Sequence, residues 1–146
     1  MVDSILDTPE ETGLRVLLLL RVLDSPASCD YLAALDTLVV NARTLKVASV
    51  DLNGTHRLAA GEISRRIVLV RQSLKPLTLK GLVSCDGFEF SLYTLTLEGI
   101  RVADAMTSVF AKKLVSLTRG ILKRLGKSEE KELIAYIASC STEGVR

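Results

Sequence analysis

The run "DTPEETGLRVLLLLRVLD", residues 7–24, constrains the fold more than any other stretch of the chain. Thr8 can cap a helix, Pro9 suits its first turn, and Glu11 completes a capping box. Glu11, Arg15 and Arg21 share one polar stripe, which Leu18 interrupts, and every other direction from Leu14 to Leu23 is aliphatic. Such a helix is buried nearly all round. It demands a helical core, and the extent of its apolar surface suggests that a partner protein covers part of it, at Leu18.

The remaining chain supplies that core. Residues of apolar type make up 48% of the 146 and charged residues 25%, which excludes a disordered chain and suits one domain. There is no Trp and aromatics are only 4%, so little surface is available for stacking on bases or sugars. A second helix, capped by Ser28 or Asp30, points Leu32, Leu35 and Leu38 or Val39 inward. Periodicity fades from Arg43 to about Ala59, where "LNGTH" marks a surface loop. Gly61 introduces a third helix with Ile63, Ile67, Val70, Leu74 and Leu77 in one stripe, and Pro76 should kink, end or restart it.

"LVSCDGFEFSLYT" follows, with a "DG" dipeptide favoured in two-residue turns and alternation through Phe88, Phe90 and Leu92, a β-hairpin pattern. Thr94 or Thr96 then caps a short helix. A further helix covers about Val109 to Leu125, and Ser128 caps a last one. Three helices followed by a hairpin is the order of a winged helix. The expectation is an α+β, mainly helical fold. Residues 1–96 form a winged-helix-like core, with the hairpin as wing, and residues 97–146 a helical extension packed on it as one structural domain.

The chemistry of catalysis is poorly served. His56 is the only histidine, and no hydrolytic signature surrounds it. Three widely separated cysteines, Cys29, Cys85 and Cys140, offer neither zinc-ligand spacing nor a C-x-x-C, and read as buried free thiols. "NGTHRLAAGE" lacks the lysine of a phosphate-binding loop. The chain is therefore expected to be non-catalytic and to need no cofactor or metal. The acidic start "MVDSILDTPEE" shows no signal-peptide pattern, and "VLLLLRVL" is too short to span a membrane. A cytoplasmic location without membrane contact is the expectation.

Two surfaces stand out as binding candidates. At about 100° per residue, Arg65, Val68, Leu69 and Gln72 occupy the face of the third helix away from its core stripe. Two of these four are bulky aliphatics, a composition better suited to packing on a protein than to reading base edges. The competing reading, a free-standing winged-helix transcriptional regulator, would place this same helix in the major groove. On the later helix, Lys112, Arg119 and Lys123 form a basic stripe widened by Lys113 and Arg124. It is either a solvated amphipathic face or a nonspecific contact to the backbone of double-stranded DNA. Net charge, only +2, does not decide between these. Arg15, Arg57, Arg65 and Arg66 likewise read as surface charge, with Glu62 and Arg66 at i, i+4 as a routine helix pair.

"TPEETGLRVLLLLRVL", "YLAALDTLVVNA" and "HRLAAGEISRRIVLVRQSLKPLTLKGLV" together resemble the middle component of bacterial ABC-three-component systems. Gly13, Leu14, Arg15, Leu35, Asp36, His56, Arg57, Gly61, Glu62, Arg65 and Arg66 stand at the matching places, and the resemblance runs from about Asp7 to Leu125. It implies a non-catalytic subunit, similar to the small subunit of Lamassu-type anti-phage complexes. Its implied partners are an SMC-like ATPase and an effector such as a nuclease. Whether two copies pair through their wings or first helices is left open.

Overall fold

The computed structural model describes residues 8–41, 62–87 and 91–125. They form α1 (Pro9–Leu23), α2 (Cys29–Val40), α3 (Glu62–Leu79), β1 (Val83–Asp86), β2 (Leu92–Leu95), α4 (Leu97–Ala105) and α5 (Val109–Leu125). The architecture is mainly helical with one antiparallel hairpin. The expected loop over 43–59, His56, Arg57, Gly61, Phe88, Phe90 and the helix after Ser128 lie outside the described residues.

Side-chain caps start the helices. The Glu11 amide donates to Thr8 Oγ1 at 3.1 Å, with Pro9 in the first turn where its missing N–H costs nothing. Ser28, rather than Asp30, caps α2 by accepting from the Tyr31 amide at 3.0 Å. In α2 every residue from Leu32 to Val40 is buried, so the expectation of one inward stripe is too narrow. Helices α1, α3 and α5 pack around α2, and α1 in turn packs against every other described helix. Val16, Leu17, Leu19, Leu32, Leu35, Leu38, Leu74, Leu114 and Ile121 are almost wholly removed from water, each contributing about 1.5–3 kcal/mol.

The burial that seemed to call for a partner at α1 is supplied from within. Leu18 is 3% exposed and belongs to the core that includes Ala103, Ala111 and Leu114 of α4 and α5. This corrects its assignment as a surface contact. The exposed aliphatic residue of α1 is Leu14.

In α3, Arg66, Val70, Ser73, Leu74 and Leu77 are buried, while Ile63 and Ile67 are only half-buried. The inner stripe is thus rotated toward Arg66 and Ser73. The helix does not end at Pro76 but runs on to Leu79. Pro76 lies in its last turn and removes one bond, to the Gln72 carbonyl, while the turn is carried on by the Lys80 amide donating to Pro76 O at 2.9 Å. The true stop comes at Gly81, in the left-handed region at φ 76°. The Gly81 amide donates to Thr78 O and the Leu82 amide to Leu77 O, both at 3.0 Å, a Schellman closure.

The hairpin pairs Val83 with Leu95 and Asp86 with Leu92. "DG" is therefore not a two-residue turn, because that would set Cys85 opposite Phe88, whereas Cys85 faces Tyr93. The other edge of β2 is also occupied. Ala27, in the α1–α2 connection, exchanges two backbone hydrogen bonds with Tyr93, at 2.8 and 3.0 Å. Thr96, not Thr94, caps α4. It accepts from the Gly99 amide at 3.0 Å and donates to Gly81 O at 2.6 Å, joining the start of α4 to the end of α3.

Candidate functional site

Two charged residues sit in the leucine-rich helices, Arg15 in α1 and Asp36 in α2, and each is about as buried as the leucines beside it. Arg15 Nε donates to Asp36 Oδ1 at 2.6 Å and Nη2 donates to Oδ2 at 3.1 Å, a two-pronged pair. Nη2 also donates to the buried Thr12 hydroxyl at 3.3 Å. From α3, Arg66 Nη1 stands 3.5 Å from the same Oδ2. One carboxylate therefore joins three helices.

Arg15 and Arg66 are each 1% exposed, which corrects their reading as surface charge. Arg66 cannot be the solvent-facing member of a helix-surface pair with Glu62. The sequence carries a signal for this. A charged residue embedded in "GLRVLLLL" and another in "LAALDTLVV" have no aqueous face available on their helices, so they must find each other.

Buried guanidinium and carboxylate groups matter here for what they orient. With its inner edge held by Arg66, α3 presents Ser64, Arg65, Val68, Arg71, Gln72 and Lys75 outward, and Leu69 at the margin, half-buried. Val68 is 48% exposed and Leu79, at the helix end, 78%. A shallow groove of about 330 Å³ extends this face onto the hairpin, lined by Arg71, Lys75, Leu79, Cys85 and Tyr93. Burial, with a smaller contribution from the Cys85 thiol, pushes the Tyr93 phenol above its ordinary range. Cys85 is exposed and Cys29 half-buried, with its Sγ 3.8 Å from Ile67 O, so the expectation of buried thiols fails at both, and Cys140 lies outside the described residues.

A second groove, of about 470 Å³, runs between α1, α4 and α5. Leu18, Val22, Met106 and Val115 line it together with Arg21, Lys112, Ser116 and Arg119. At its rim Arg21 Nε donates to Asp104 Oδ1 at 2.8 Å. That hydrogen bond first, and the carboxylate charge second, raise the Arg21 guanidinium above its ordinary value. Lys112, Lys113, Arg119, Lys123 and Arg124 are all exposed on α5, as the sequence suggests. Among the described residues no group of three His, Cys, Asp or Glu side chains could hold a metal ion. No helix among them is long and apolar enough to cross a membrane.

The family model described as "ABC-three component (ABC-3C) system Middle Component 2" matches residues 5–145. The chain belongs to this family. No curated protein and no solved structure matches it. A middle component works in a system of several proteins, so the exposed faces of this ABC-3C Middle Component 2 protein are read as surfaces for partners. The buried Arg15–Asp36–Arg66 cluster links residues from all three helices that open the fold, and in that role it is structural.

Proposed function

We propose that this protein is the non-catalytic subunit that bridges an SMC-like ATPase to an effector, such as a nuclease, in a Lamassu-like anti-phage complex of the cytoplasm. Family membership supports a place in a multi-protein system. The observation that carries the bridging role is the outer face of α3, where the exposed Val68 and half-buried Leu69 interrupt Arg65, Arg71 and Gln72. Aliphatic residues ringed by arginine and amide groups match the makeup of a protein interface, and they are poor partners for base edges. The core is winged-helix-like on this reading. The order of α1, α2, α3, β1 and β2 supports it, as does the third-strand-like pairing of Ala27 with Tyr93.

Val68→Asp combined with Leu69→Asp, introduced into the chain co-expressed with the proteins encoded beside it, tests the reading. The lone variant keeps its helical circular dichroism, and co-purification with at least one partner is lost. A complex that survives unchanged places the interface elsewhere. A lone chain that instead binds one promoter sequence tightly, with no protein partner, establishes the regulator reading.

A further inference from the structure

The long exposed face of α5 has a composition that the bridging role does not explain. The helix "VFAKKLVSLTRGILKRL" contains five cations and no carboxylate. Turning it at about 100° per residue sorts the cations into two rows. Lys112, Arg119 and Lys123 form one row, and Lys113 and Arg124 the other. Between them lie Ser116 and Gly120, both small and both exposed. Among the described residues Lys112, Lys113, Arg119 and Lys123 make no ion pair. Arg119 and Lys123 are like charges at i, i+4, which weakens an isolated helix.

Gly120 is the second, independent observation. A glycine inside a helix costs about 1 kcal/mol relative to alanine. Among the described residues a Cβ at Gly120 would meet nothing within 4 Å, so their packing does not require its absence. The helix thus keeps a destabilising residue in the middle of its cationic face, where none of the described residues approaches the backbone closely.

We infer that this face of α5 is a sequence-independent binding surface for B-form DNA. The strip of Ser116 and Gly120 lies toward the major groove, with Lys112, Arg119 and Lys123 reaching phosphates on one side and Lys113 on the other. A helix is about 10–12 Å across and the B-form major groove about 12 Å wide, so the dimensions agree. From Lys112 to Lys123 the row spans about 16 Å at 1.5 Å per residue, long enough to meet several phosphates. Ser116 alone offers a side-chain hydrogen-bonding group between the rows, which leaves little means of reading sequence. The band has no aromatic residue, which disfavours single strands. A-form duplexes present a deep, narrow major groove that this helix cannot enter. The surface is distinct from the outer face of α3, so the inference does not depend on the bridging role.

Fluorescence anisotropy of the full chain tests it, using two unrelated 30-base-pair DNA duplexes, a 30-base-pair RNA duplex and phosphatidylserine vesicles. Both DNA duplexes bind with equal affinity, and log K falls against log salt with a slope of about −4, as expected for four to five phosphates. RNA and vesicles bind at least tenfold more weakly. The combined Lys112→Glu, Arg119→Glu and Lys123→Glu variant loses at least tenfold in DNA affinity. The same number of reversals at Arg71, Lys75 and Lys80 changes it less than threefold. Gly120→Leu alters no charge, retains its helical spectrum, and also loses at least tenfold. Absent DNA binding, equal or tighter binding of RNA or vesicles, a dominant effect of the α3-side reversals, or an undiminished Gly120→Leu variant each overturns the assignment.

Discussion

Asp36 illustrates how one side chain can govern three helices. Its carboxylate receives two hydrogen bonds from Arg15 and has Arg66 beside it, all at or below 1% exposure. Removing one member of a buried ion pair strands its partner without water, at a cost of about 3–5 kcal/mol. Asp36→Ala is therefore expected to lose at least that much in urea unfolding, and more than Arg66→Met, which leaves the Arg15–Asp36 pair intact. Tyr31 gives a pH signature. Burial pushes its phenol above the ordinary range, because phenolate is disfavoured there. The folded value lies above the unfolded one, so the stabilisation is complete below about pH 10 and is lost as pH rises through the folded value. The urea midpoint of the wild type should fall more steeply above that pH than that of Tyr31→Phe. The existence of Arg15 and Asp36 in apolar surroundings is plain in the sequence. That Arg66 joins them is not, because α3 carries enough polar residues to make Arg66 look like part of a solvated face.

Helix beginnings are the most legible features, since a cap acts within a few residues of itself. Thr8, Ser28 and Thr96 each accept from the amide three positions on. Substituting an exposed cap by alanine costs about 1 kcal/mol. Thr96→Ala should exceed Thr8→Ala in calorimetric destabilisation, because the Thr96 hydroxyl also donates to Gly81 O. The hairpin turn and the end of α3 depart from what their local sequence suggests for a common reason. "DG" and Pro76 are strong local signals, but the pairing of Tyr93 with both Cys85 and Ala27, and the Gly81 closure, outweigh them. Glycines inside helices show the limit most clearly. A Cβ at Gly99 would lie 2.0 Å from Leu82 O, whereas at Gly120 it would meet none of the described residues within 4 Å. Gly99→Ala should thus lower the melting temperature sharply, while Gly120→Ala should raise stability by about 1 kcal/mol. Local sequence cannot separate these two positions; packing does.

Taken together, the buried cluster, the buried α2 and the capped turns set a frame from which two faces look outward. One is mixed aliphatic and basic on α3, the other wholly basic on α5. The order of helices and hairpin was readable from periodicity and turn chemistry. Which apolar residues are spare for a partner was not, because that depends on how α4 and α5 close over α1. Leu18 and Leu14 changed places for that reason, one in the core and the other exposed. The bridging role depends on the chain as a whole, and it is tested most directly by leaving the chain out. The ATPase and effector that the proposed bridging role calls for are purified and mixed, with and without this protein, and the products are sized by light scattering after gel filtration. A bridge predicts one assembly containing all three chains and two separate species when this chain is omitted. An ATPase–effector complex that forms with undiminished affinity in its absence would contradict it.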